Sequence, residues 1–206
     1  MKVKICGLCT EEAVLAAEDA GADFLGFIFY GKSHRHVLPE EVRGLTKHVQ
    51  RAKTVGVFVD APLDEVNAAA DFCSLDFVQL HGHESAAYAR AVCRPVIKAF
   101  RWGDDFSAEE ANDYPAEIIL LDSFSKDAVG GTGQRFRWRE AAEETVRLEK
   151  PLLVAGGIAS GNVREAEEVF RPYGVDVSGS LEIEKRKSVE RIREFMAVVQ
   201  KRRVPE

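Results

Sequence analysis

The sequence predicts an α/β fold, a single (β/α)8 TIM barrel over residues 1–206. Three observations predict it. Short apolar runs alternate with amphipathic runs from one end of the chain to the other. Eight such pairs share the 206 residues, or about 25 residues per unit, which is the arithmetic of a compact barrel. The apolar runs also lack the two-residue alternation of half-exposed strands, as befits parallel strands covered on both faces.

The predicted strands run over Val3–Cys6, Phe24–Phe29, Thr54–Val59, Phe77–Leu80, Val96–Phe100, Ile118–Asp122, Leu152–Ala155 and Val175–Ser178. The first ends at Gly7, and Thr10 then stands as a helix N-cap with Glu11 and Glu12 in the first turn, where the helix dipole favours acids. Pro62 and Ser188 read as further helix starts, and Ser160 as another just after Gly156-Gly157. Leu63, Val66, Ala70 and Cys73 share one helix face, as do Ile192, Phe195, Met196 and Val199. An open doubly wound sheet is the competing architecture. It has fewer strands, and no G-x-G-x-x-G follows the first strand here.

A hydrophobic share of 46% with 30% charged residues is ordinary for a globular protein. A net charge of −6 without a dominant basic stripe argues against a nucleic-acid partner. The basic cluster Lys185-Arg186-Lys187 reads as a solvated loop rather than a phosphate grip. No apolar run approaches the roughly 18 residues of a membrane span, and Met1-Lys2-Val3-Lys4 leads straight into a strand, so no membrane partner and a cytoplasmic location are expected. Cys6, Cys9, Cys73 and Cys93 read as free thiols. Monomer and homodimer stay open.

In a barrel the carboxyl ends of the strands converge on one mouth, where chemistry is done. The polar residues placed there are Cys6, the Arg35 loop, Asp60, His81, Arg101, Asp122, Gly156-Gly157 and Ser178-Gly179-Ser180. Asp122 follows four aliphatic residues. A carboxyl so desolvated has a raised pKa and suits a general acid, and a turn-capping Asp is the plainer alternative. Cys6 as a thiolate is a competent base or nucleophile, against the alternative of inert packing. The small-residue loops after the last two strands fit an anion, because glycine lets backbone N–H groups approach it. Two tight turns would look the same.

Other motifs carry less. Cys6-Gly7-Leu8-Cys9 is a C-x-x-C with no second pair. His34/His36 and His81/His83 are H-x-H pairs without an evident carboxylate-and-lysine set. No metal is therefore expected. Gly130-Gly131-Thr132-Gly133 lacks the Lys-Ser/Thr of a P-loop and reads as a lid over the mouth.

Taken together, the motifs resemble the phosphoribosylanthranilate isomerase family over nearly the whole chain. The resemblance is carried by Lys4-Ile5-Cys6-Gly7-Leu8, Gly26-Phe27-Ile28-Phe29-Tyr30, Lys32-Ser33-His34-Arg35, Val55-Gly56-Val57-Phe58-Val59, Val78-Gln79-Leu80-His81-Gly82, Leu121-Asp122, Ala155-Gly156-Gly157 and Gly174-Val175-Asp176-Val177-Ser178. It implies a cofactor-free Amadori rearrangement of a small phosphorylated substrate. Asp122 matches the family's acid, Cys6 its base and Arg35 its arginine for the anthranilate carboxylate. His81 joins the substrate-binding set, and the phosphate would lie around Gly156, Gly157, Ser178, Gly179 and Ser180. The chain departs from the family pattern at Cys9-Thr10, at His34 and His36 around Arg35, in the order of Ser178-Gly179-Ser180, and at Glu184-Lys185-Arg186-Lys187-Ser188. Two other readings remain: another phosphosugar aldose–ketose isomerase barrel, and a catalytically silent barrel that binds a phosphorylated ligand.

Overall fold

The computed structural model describes residues 1–103, 106–122 and 133–201, the last stretch without the side chains of 133–137. The Gly130-Gly131-Thr132 part of the expected lid lies outside the described residues.

Eight strands close a parallel barrel in sequence order. They are β1 (Lys2–Cys6), β2 (Phe24–Ile28), β3 (Lys53–Phe58), β4 (Phe77–Leu80), β5 (Val96–Arg101), β6 (Ile118–Asp122), β7 (Leu152–Ala155) and β8 (Gly174–Val177). β8 pairs back onto β1 through Lys2↔Gly174 and Lys4↔Asp176. Each predicted strand is present, with ends displaced by one residue at most. Around the barrel lie α1 (Glu11–Asp19), α2 (Pro39–Leu45), α3 (Leu63–Phe72), α4 (Ala86–Arg90), α5 (Ala108–Asp113), α6 (Gly133–Thr145), α7 (Val163–Phe170) and α8 (Val189–Gln200). Among the described residues no helix is long and apolar enough to cross a membrane.

Why these strands read as unbroken apolar runs is visible in the packing. Alternate residues face opposite sides, and both sides are covered. Val3, Ile5, Leu25, Phe27, Leu121, Val154 and Val175 belong to the layer between barrel and helices. Phe24, Val55, Ile97, Ala99, Ile118, Leu120, Leu153 and Ala155 fill the barrel interior. Each fully buried aliphatic side chain contributes about 1.5–3 kcal/mol. Charge also enters the barrel interior: Lys4 is fully buried on β1, and its Nζ lies 2.9 Å from Asp176 Oδ1 on β8.

The helix starts follow their caps. Thr10 accepts from Ala13 N, and Ser188 accepts from Arg191 N. Pro62 precedes α3 as expected, without a side-chain cap bond. Ser160 does not start α7. The helix begins at Val163, with Asn162 as its cap. The reason is Asn162 itself, whose Oδ1 accepts from Ala159 N (2.8 Å) and whose Nδ2 donates to Gly157 O (2.9 Å), so residues 157–162 are held as a loop. A second departure follows β8. A 3-10 turn (Gly179–Leu181) leads into a small antiparallel hairpin, β9 (Glu182–Ile183) with β10 (Arg186–Lys187).

Candidate active site

A cavity of about 660 Å³ opens at the carboxyl end of the barrel. Its wall includes Cys6, Arg35, His81, Asp122, Gly156, Gly157, Ser178, Gly179 and Ser180, together with Ile28, Tyr30, Val57, Val59, Gln79, Ile158 and Asp176. The nine predicted site residues thus face one space. Asp60 and Arg101, also expected at the mouth, do not line it. Asp60 has a positive φ of 49° and turns to the next loop, where His83 N donates to Oδ1 and His83 Nδ1 lies 3.3 Å from Oδ2. Arg101 lies in a neighbouring cleft with His83, Lys98 and Tyr114.

Cys6 occupies the last interior position of β1, opposite Gly26 of β2. It is buried, and burial pushes its thiol up from the ordinary value. Lys4 opposes that shift, Asp176 adds to it, and Lys187 opposes it more weakly. Asp122 ends β6 at the corresponding depth. His81 Nε2 lies 3.8 Å from Asp122 Oδ2. Gln79 Nε2 lies 2.8 Å from His81 Nδ1. With the amide donating, the ring proton sits on Nε2 and faces the carboxyl. The Gln79 Oε1 oxygen is buried with no hydrogen-bond partner among the described residues.

Arg35 arrives on the loop after β2 and crosses the end of β1. Gly7 makes room for it. A Cβ there would lie 2.3 Å from Arg35 Cδ, and the residue has a φ of +77°, which suits glycine. The guanidinium is clasped by Glu182: Nε donates to Oε1, and Nη2 donates to Oε2 at 3.1 Å. Glu182 also receives Lys187 Nζ at 2.7 Å and lies 3.2 Å from His34 Nε2. Burial works against its charge, but Arg35 and Lys187 outweigh that and hold its carboxyl at about 2.

These contacts correct one expectation. Lys187 is not part of a solvated loop. Its side chain is 3% exposed, and Nζ reaches Glu182 and Ser178 Oγ (3.4 Å). The hairpin folds it inward, whereas Lys185 and Arg186 stay exposed. The H-x-H pairs also divide: His34 turns to Glu182 and His81 to Asp122, while His83 turns to Asp60. Cys9 is not aligned with Cys6. Its thiol donates to Arg35 O at 3.4 Å and to Gly7 O at 3.7 Å, so it tethers the arginine loop.

The small-residue loops meet at one corner. Gly156 and Gly157 adopt φ of 84° and 73°, and a Cβ on Gly157 would meet nothing within 4 Å. Ser180 Oγ donates to Ile158 O (2.6 Å), which joins the loop after β8 to the loop after β7. Ser178 Oγ donates to Cys6 O (2.9 Å), which joins it to β1. The hydroxyls therefore brace the corner and leave its lining to backbone.

Sequence reasoning missed Lys4, Gln79, Asp176, Glu182 and Lys187. A signal existed for the first three, since a charged or amide residue inside an otherwise apolar strand must face something polar.

Comparison with known proteins decides the lineage. The sequence profile of the N-(5′-phosphoribosyl)anthranilate (PRA) isomerase family matches residues 3–198. The chain belongs to the phosphoribosylanthranilate isomerase family. It is 46% identical over 198 residues to the N-(5′-phosphoribosyl)anthranilate isomerase of Geobacter sulfurreducens, covering 95% of this chain and 97% of that one. Its fold superposes on the crystal structure of phosphoribosyl anthranilate isomerase from Thermotoga maritima with a TM-score of 0.87 at 34% identity, covering 97% and 98% of the two chains. A family structure in complex with reduced 1-(o-carboxyphenylamino)-1-deoxyribulose 5-phosphate matches with a TM-score of 0.84 at 32% identity over the same shares. Membership makes the chain a phosphoribosylanthranilate isomerase of tryptophan biosynthesis.

Proposed function

We propose that Cys6 is the general base and Asp122 the general acid of this isomerisation, and that the substrate lies across the cavity between them. The observation that carries this reading is the placement of a buried thiol and a carboxyl at the ends of β1 and β6, on the wall of one cavity. Asp122 gives its proton to the furanose oxygen of N-(5′-phosphoribosyl)anthranilate. The C1′–O bond breaks as the anilino nitrogen lone pair forms the C1′=N bond. The Cys6 thiolate then takes the C2′ proton. The C2′–H electron pair becomes the C1′=C2′ bond, and the C1′=N pair returns to nitrogen. The enolamine tautomerises to the ketone by losing its hydroxyl proton and gaining one at C1′. Cys6 gives up its proton and Asp122 regains one by exchange with solvent, so atoms and charge balance over the cycle, and no cofactor is called for.

The anthranilate carboxylate pairs with Arg35, whose guanidinium Glu182 fixes at the wall. The phosphate rests on backbone N–H groups of Gly156, Gly157 and the Ser178-Gly179-Ser180 turn. The Gln79 Oε1 acceptor takes a sugar hydroxyl, which satisfies it. His81 Nε2 stabilises Asp122 once its proton has left.

The test is an assay following the loss of fluorescence of N-(5′-phosphoribosyl)anthranilate, coupled to the next enzyme. Asp122→Asn should lower kcat by at least about 10²-fold, the size of a lost acid, with substrate binding largely kept. Near-normal turnover in that variant overturns the assignment.

A further inference from the structure

The proposed mechanism needs a thiolate, yet Cys6 sits where burial favours the neutral thiol. A buried cation beside it meets that need, and the mechanism leaves it unused. Lys4 lies two residues before Cys6 on β1, so both side chains point into the barrel. Its side chain is 0% exposed and does not line the substrate cavity. A Cβ on Gly26 would lie 3.0 Å from Cys6 Sγ and 3.2 Å from Lys4 Nζ, so the thiol and the ammonium group flank the same empty spot on β2. Glycine at that position leaves the two groups in reach of each other.

We propose that Lys4, anchored by Asp176, is a positioning residue that supplies the counter-charge for the Cys6 thiolate. It rests on Cys6 acting as the base. Burial disfavours the Lys4 cation, but Asp176 and Cys6 outweigh it and hold the ammonium form. A buried lysine is costly unless paired, and pairing with Asp176 alone would need no thiol beside it. Asp176 plays two parts. It keeps Lys4 charged, and it competes with the thiolate for that charge. The other charged groups around Cys6 come from separate elements. Lys187 of β10 favours the thiolate weakly, and Arg35 on the β2–α2 loop interacts with it favourably. Glu182 pairs with both, one carboxylate shared between two cations. Asp122 of β6 faces the same cavity. Lys4 flanks the Gly26 position beside Cys6 and opposes the burial of the thiol more strongly than Lys187 does.

The experiment reads the thiol itself, in the ligand-free enzyme. In a Cys9→Ser background, which leaves one cysteine in the first peptide, the rate of Cys6 alkylation by iodoacetamide is followed against pH by mass spectrometry. An opposite charge within about 4–6 Å moves a pKa by 1–3 units. Lys4→Met should therefore raise the midpoint by at least about one unit, and the rising limb of kcat against pH should move with it while KM stays near its original value. Asp176→Asn should move the alkylation midpoint the other way, because a competitor for Lys4 is gone. A merely structural lysine would leave the alkylation midpoint of Lys4→Met in place. If Lys4→Met does not fold, Lys4→Gln, which keeps a polar group beside Asp176, carries the upward shift instead. Midpoints unchanged in the folded variants overturn the proposal, even if kcat falls. Full turnover by Cys6→Ala would instead overturn Cys6 as the base, and the alkylation midpoints would still report whether Lys4 tunes the thiol.

Discussion

Glu182 gathers Arg35, Lys187 and His34 around one carboxylate, and so decides where the arginine of the cavity wall can stand. Its folded value of about 2 lies below the ordinary 4.5. The sign follows: a carboxyl depressed on folding contributes stability that is present above pH 4.5 and is lost as pH falls from 4.5 toward about 2. Glu182→Gln should flatten that acid limb in a thermal-melt series, and should raise KM by about tenfold or more by releasing Arg35, with a smaller effect on kcat. An unchanged KM would detach Glu182 from the substrate site. At this scale the sequence was partly legible. Cys6, Arg35 and Asp122 stand at strand ends or in loops where motif and position agree. Lys4 and Asp176 were visible but lay inside apolar runs, where the eye reads core. Glu182 and Lys187 were not legible as partners, because only the hairpin after β8 turns Lys187 back onto Glu182.

Elements hold these residues through a few buried polar ties. Glu18 on α1 accepts from Gln50 N (3.1 Å), Arg51 N (2.7 Å) and Ala52 N (3.1 Å), fixing the segment that enters β3. Burial would raise its pKa, but those backbone N–H groups win and lower it, so its contribution is present above about pH 4.5 and is lost below it. Glu18→Ala leaves three donors behind and should cost at least about 1–3 kcal/mol in urea unfolding. At the other end of the molecule, Gly179 opens the 3-10 turn after β8, and a Cβ there would meet only Arg35 Nη2, at 3.5 Å. The exchanged order of Ser178-Gly179-Ser180 is thus sterically comfortable. Gly179→Val adds branches at the turn that faces the phosphate corner and should raise KM while leaving kcat near normal. Strand positions were legible to within a residue, because burial on both faces leaves an unmistakable apolar run. The start of α7 was not, since the side chain of Asn162 holds the preceding residues in a loop that propensity alone does not reveal.

The whole molecule is two apolar layers, one inside the barrel and one outside it, with the polar mouth set on top of the inner layer. Leu120 is fully buried in the inner layer, two residues below Asp122 on the same face of β6. Leu120→Ala should cost about 2–5 kcal/mol of stability, read from the urea midpoint. The barrel was legible from the count and spacing of its strands. The place of its candidate site was legible because closure brings eight strand ends together, so positions far apart in sequence could be read as one wall. In the proposed mechanism this mouth works through a thiolate base at the end of β1. The kcat and KM of Cys6→Ala, measured by loss of phosphoribosylanthranilate fluorescence, test it most directly. A thiolate base there means a kcat lower by at least about 10²-fold with KM little changed. A Cys6→Ala enzyme that turns over at a near-normal rate would contradict it.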